Sequence, residues 1–171
     1  MASFLNSSKT TVRCNFSKAS KEEILESLRK QGVKAAESEI LDGVLYLERF
    51  DHLEGLLAFQ KGYISVQDMS SGLVGEIAAP KSGDYIIDVC GAPGGKSIHL
   101  ADKLAGTGMV EVRDLTEQKI GMIQENIDRC GLKNIRARQW DATVIDEESV
   151  GKADIVIADL PTDSSSITVA S

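Results

Sequence analysis

Apolar and polar residues alternate over 11–16 (TVRCNF), the period of a strand with one buried face. Ser20 is followed three positions later by Glu23, the spacing of a capping box. The helix it opens carries Ile24, Leu25 and Leu28 on one side, and Gly32 ends it. Two short strand-like runs at 37–41 and 44–49 flank Asp42-Gly43, a dipeptide suited to a hairpin. The order β-α-β-β predicts a small α+β module. Beyond it, 53–59 is weakly helical, and 63–67 reads as a strand running into Asp68-Met69-Ser70-Ser71.

The pattern changes at Tyr85. Apolar runs at 85–90 (YIIDVC), 109–112 (MVEV), 134–140 (NIRARQW) and 153–160 (ADIVIADL) alternate with helical stretches, one of which starts at Thr116 and sets Ile120, Ile123 and Ile127 on one face. Strands separated by helices predict a parallel sheet, hence an open α/β fold with its ligand at the carboxyl ends of the strands. The expected organisation is a small α+β module over 1–62, an α/β ligand-binding domain over 63–161, and a frayed Ser/Thr-rich tail over 162–171.

Composition agrees with a folded chain of this kind. With 171 residues, 42% apolar and 26% charged, it can bury a core, so disorder is excluded as the default. No apolar run approaches the roughly 20 residues needed to cross a bilayer, and the first residues lack the order of a secretory signal; the expectation is a cytoplasmic protein without membrane contact. Cys14, Cys90 and Cys130 form no CxxC pair, so free thiols and no metal site are expected. The net charge of −7 argues against a protein that coats nucleic acid through its overall field. Residues 1–35 nevertheless carry seven basic and three acidic side chains, a segment compatible with local RNA contact or with an ordinary solvated face.

The densest chemical signal is DVCGAPGGKS (88–97), at the end of the first strand of the α/β region. Gly94 and Gly95 let the backbone approach a ligand and open a helix whose N–H groups favour an anion. A phosphate-binding P-loop would need glycine where Cys90 stands, and a dinucleotide fingerprint would need GxGxxG, which is absent. A nucleoside bearing a carboxylate remains. Asp114 follows the second strand, where an acid accepts ribose hydroxyls; Asp141 follows the third, where it can accept an adenine amino group; Asp159 follows the fourth. Singly, each acid also reads as a turn residue or cap.

Taken with TVRCN (11–15), GYISVQDMSSGLV (62–74), DVCGAPGGKSIHLA (88–101), ENIDRCGLKNI (125–135) and ADLP (158–161), these residues resemble the Sun/Nop family of S-adenosylmethionine-dependent RNA (cytosine-5)-methyltransferases. The resemblance implies the N-terminal half of a Rossmann-like class I methyltransferase sheet, S-adenosyl-L-methionine as cofactor, and RNA, in particular small-subunit ribosomal RNA, as partner. It implies that Cys90, Gly91, Ala92, Pro93, Gly94, Gly95 and Lys96 wrap the methionine part of the cofactor. Asp114 would hold the ribose, Asp141 the adenine, and Asp159 would lie between the cofactor and the target base, which it positions. In the family a cysteine thiolate adds to C6 of cytosine so that C5 can take the methyl group.

One departure matters. Where the family has DxPC, this chain reads Asp159-Leu160-Pro161-Thr162, and no TCS motif, the source of the nucleophilic cysteine, occurs in it. The expectation is a chain that binds the cofactor without completing methyl transfer, with strand 153–160 left as a sheet edge open to self-association. Competing readings are a non-catalytic RNA-binding or assembly module and an unrelated ATP-binding protein. His99 is read as a surface or packing residue and Trp140 as packing on the third strand. Arg129, Lys133, Arg136 and Arg138 could contact phosphate or simply be solvated.

Overall fold

The computed structural model describes residues 9–159 and 167–170. Contacts divide the chain into two units, Met1–Gly72 and Leu73–Ser171. The first contains β1 (Thr10–Cys14), α1 (Lys21–Lys30), β2 (Lys34–Glu37), β3 (Val44–Glu48), α2 (Leu57–Gln60) and β4 (Ile64–Val66). Its strands form an antiparallel sheet in the order β2-β3-β1-β4. Ser20 caps α1 as expected: its hydroxyl accepts from the Glu23 N–H at 3.2 Å and the Glu23 carboxylate accepts from the Ser20 N–H at 2.8 Å. Ile24 and Leu28 then enter a core with Val12, Leu45, Leu47 and Ile64.

Two expectations for this unit change. Residues 38–41 turn rather than extend, because the Ser38 hydroxyl accepts from the Ile40 and Leu41 N–H groups, each at 3.2 Å. The boundary expected after residue 62 falls after Gly72. β4 hydrogen-bonds antiparallel to β1, from Val12↔Val66 to Cys14↔Ile64, and so completes the first sheet. The stretch after it forms a helix that hydrophobic period did not reveal, α3 (Met69–Ala78). The Asp68 carboxylate supplies its start, accepting from the Ser71 N–H at 2.7 Å.

The second unit holds β5 (Tyr85–Asp88), α4 (Gly95–Lys103), β6 (Met109–Asp114), α5 (Glu117–Cys130), β7 (Ile135–Gln139), β8 (Ile155–Asp159) and β9 (Ile167–Ala170), with sheet order β7-β6-β5-β8-β9. β7, β6, β5 and β8 run parallel, the arrangement expected of an α/β fold. Ile86, Val110, Val112, Ile135, Ile155 and Ile157 line one face and pack with Ile98 and Leu100 of α4 and Ile123 and Ile127 of α5. Burial of this face on folding is the main force holding the unit together.

β8 is flanked on both sides, which corrects the expected edge at 153–160. β9 pairs antiparallel with it from Val156↔Ala170 to Asp159↔Ile167, occupying the backbone groups that an edge would offer to another chain. The same pairing puts a strand at 167–170, where a frayed tail was expected. Residues 160–166, with Leu160 and Pro161 of the ADLP segment and Thr162 after it, lie outside the described residues. Among the described residues, no helix is long and apolar enough to cross a membrane.

Candidate functional site

Four parallel strands end at one edge of the second sheet, and the acids singled out in the sequence collect there. Asp114 is the last residue of β6 and Asp159 of β8, and Asp141 follows the end of β7; a further acid, Asp88, ends β5. The crevice outside such an edge is where open α/β sheets bind ligands.

The loop between β5 and α4 is shaped by its glycines. A Cβ on Gly91 would collide with the Val112 and Asp88 side chains, so glycine alone lets the Gly91 N–H reach the Arg113 carbonyl at 2.9 Å. Gly94 takes φ +105 and begins α4 without any side-chain cap. The amino end of α4 lies directly after the end of β5, at the strand edge, a place suited to an anionic group.

Asp114 links this loop to α5. Its Oδ2 accepts from the Ala92 N–H at 3.1 Å, and its Oδ1 accepts from the Leu115 N–H at 2.8 Å and lies 3.0 Å from the Lys119 ammonium. Burial by itself would raise this carboxyl; Lys119 and the two N–H donors outweigh it and hold Asp114 below the usual carboxylate range. The Trp140 N–H donates to the Asp114 carbonyl at 3.0 Å, which sets Asp141 beside the ribose candidate. Asp141 is exposed, and its Oδ1 accepts from the Thr143 N–H at 2.9 Å and hydroxyl at 2.7 Å, bonds that keep it ionised.

Lys96, expected in the methionine-binding loop, directs its ammonium to Asp159 Oδ2 at 2.6 Å. Two supporting residues were not singled out from the sequence. Asp88 is buried and accepts from the Ser97 hydroxyl at 2.6 Å, tying α4 to β5; burial pushes its carboxyl up to about 6. The alternation of β5, with Ile86 and Asp88 on the helix side, is the signal that could have found it. Lys119 lies in the first turn of α5.

The remaining candidates separate. Burial pushes the Cys14 thiol up to about 11, Cys130 is buried, and Cys90 is half-buried with its thiol raised by burial and by Asp114 and Asp88. His99 is 7% exposed and 3.5 Å from Glu76, so it packs within the unit. Arg136 and Arg138 do not join Arg129 in a phosphate-binding cluster: both turn to the buried Glu111. Arg129 instead bonds Asn126 at 3.1 Å. Trp140 is half-buried and stacked by Arg138, with the guanidinium 4.5 Å from the ring centre.

Comparison with known proteins shows what the chain is similar to. The chain is 37% identical over 138 residues to the probable ribosomal RNA small subunit methyltransferase B of Bacillus subtilis (strain 168), a match covering 78% of this chain and 30% of that protein. It is 37% identical over 109 residues to the tRNA (cytosine(72)-C(5))-methyltransferase of Pyrococcus horikoshii, covering 64% of this chain and 28% of that one. The chain thus spans about a third or less of these relatives' length. The crystal structure of NSun6 from Pyrococcus horikoshii with SFG superposes with a TM-score of 0.82 at 22% identity, over 91% of this chain and 63% of that one, which shows a shared fold. The family model of the 16S rRNA methyltransferases RsmB/F matches residues 76–170, more than half of the sequence. On that match, and on the loop and acids it contains, the chain belongs to the 16S rRNA methyltransferase RsmB/F family.

Proposed function

We propose that this chain is the cofactor-binding part of an S-adenosylmethionine-dependent RNA (cytosine-5)-methyltransferase acting on small-subunit ribosomal RNA. The observation that carries the reading is the convergence of the α4 amino end, Asp114 and Asp141 on one edge of a parallel sheet. The helix end suits a carboxylate, Asp114 suits a pair of hydroxyls, and Asp141 suits an amino group. Those are the polar ends of S-adenosylmethionine in order, and the donor set fits the group. When bound, the cofactor supplies a methyl group on a positively charged sulfur.

Asp159, held by Lys96 at the end of β8, is placed to accept a hydrogen bond from the amino group of a cytosine and so orient the base. The basic 1–35 segment is the part of the chain suited to RNA phosphates. Attack on cytosine C6 requires a thiolate, and the thiols of Cys14 and Cys90 are both raised, while Cys130 is buried. The 171-residue chain by itself therefore holds the cofactor without transferring its methyl group.

Isothermal titration with S-adenosylhomocysteine tests the cofactor assignment: micromolar binding is expected, and no binding at high micromolar concentration would overturn it. Tritium transfer from labelled cofactor to small-subunit RNA should stay at background; incorporation would refute the claim of incomplete chemistry. RNA retained on filters with an affinity that falls as salt rises would support the phosphate contacts.

A further inference from the structure

Behind the site, on the sheet face turned away from α4 and α5, sits a group of buried charges that the cofactor reading leaves unexplained. Along β6, Val110 and Val112 enter the helix-side core, while Glu111 and Arg113 point to the other face at 0% and 4% exposure. Charges buried to this extent are costly unless each is paired. Here they are. The Arg113 Nε donates to Glu111 Oε1 at 2.6 Å, and its Nη2 donates to Asp146 Oδ2 at 2.7 Å and Ser149 Oγ at 2.8 Å. Arg136 and Arg138 complete the pairing of Glu111, and Arg138 also reaches Asp146 at 3.1 Å.

The partners of Arg113 beyond the strand lie in the loop that follows β7, and that loop carries Asp141. Its first residue, Trp140, is stacked by Arg138 and Arg113 at 4.5 and 5.6 Å from the ring centre, and its indole N–H donates to the Val144 carbonyl at 3.0 Å. Asp141 itself bonds Thr143, two residues away in the same loop. Nothing in those local bonds fixes the carboxylate relative to the sheet. The backbone before it is held by the Trp140 N–H on the Asp114 carbonyl at 3.0 Å, and the side-chain anchors on either side, the Trp140 ring before it and Asp146 after it, meet on Arg113, with Arg138 alongside. Ile87 and Val156 share this face, so packing alone could have been met by apolar side chains.

We propose that Arg113 is a positioning residue for Asp141, acting through Asp146 and Trp140, and that this arrangement sets the selectivity of the site for a purine bearing an amino group. The proposal rests on the reading of Asp141 as the adenine acceptor. Arg113 is the neighbour of Asp114, so one end of β6 places both the ribose acid and, through its guanidinium, the adenine acid.

The test compares the affinity of the 171-residue chain for S-adenosylhomocysteine and for its 6-deamino analogue, in which hydrogen replaces the purine amino group. The parent chain should prefer the amino form by about tenfold or more, the worth of a hydrogen bond to a charged acceptor. Asp146→Ala, which cuts the anchor at the exposed loop, should reduce that preference to about twofold while leaving affinity for the deamino analogue in place. Arg113→Lys should act in the same direction; if it does not fold, Asp146→Ala decides alone. A merely structural contribution would weaken both ligands equally and keep their ratio. Asp141→Ala separates the two levels of the argument. If it leaves the preference intact, the adenine reading itself fails; if it abolishes the preference while Asp146→Ala retains it, the positioning proposal fails and the adenine reading stands.

Discussion

Lys96 Nζ lies 2.6 Å from Asp159 Oδ2 and joins residues 63 positions apart, the first turn of α4 and the end of β8. The two side chains are 19% and 33% exposed, so solvent screens the attraction only in part. A double-mutant cycle with Lys96→Met and Asp159→Ala, measured by urea unfolding, should give a coupling of about 1 kcal/mol. Strictly additive single effects would mean that the pair contributes no stability.

Asp114 is expected to be the most sensitive acid for ligand binding. Asp114→Ala removes the acceptor for the ribose and also for the Ala92 and Leu115 N–H groups, so the loop loosens as well. Affinity for S-adenosylhomocysteine should drop by at least about tenfold in calorimetry. A smaller change would place the ribose elsewhere along the edge.

Asp88 gives the fold a specific dependence on pH. Its carboxyl rises from an ordinary 3.8 to about 6 in the folded chain because it is buried. Between those values the folded state retains a proton that the unfolded state has released, so this group's contribution to stability falls as pH rises through the window. Asp88→Asn cannot ionise and keeps an acceptor for Ser97. Its stability relative to the parent should therefore climb from pH 4 to pH 6, by at most about 3 kcal/mol. Denaturation curves that shift in parallel for both proteins across that range would contradict the assignment.

In the first unit, Ser20→Ala removes one half of the capping box and should lower stability by about 1 kcal/mol. Helical content and unfolding midpoint, followed together by circular dichroism, provide the measurement. An unchanged midpoint would show that the Glu23 carboxylate caps the Ser20 N–H adequately without the hydroxyl.

Much of the architecture could be read from local pattern. Ser20 and Glu23 marked the start of α1, Thr116 that of α5, and the alternation of strands and helices after Tyr85 indicated the parallel sheet. The loop at 90–96 and Asp114 and Asp159 were visible because glycine and carboxylate chemistry is tied to position at strand ends. α3 escaped notice because its glycines and serines dilute the hydrophobic period, and its cap at Asp68 looked like the close of a strand.

By itself, then, the sequence determined whatever depends on neighbours a few residues apart: caps, the glycine-rich turn, strand and helix period, and the family signature they compose. Tertiary structure decided which distant partners those elements meet. β4 joins the first sheet because β1 offers it a ladder, β9 covers β8, Lys96 meets Asp159, and Arg136 and Arg138 pair with the buried Glu111. Period along a chain states that a residue has a buried or an exposed face; it carries no record of the partner across the sheet, and for a charged side chain that partner decides whether burial is tolerable.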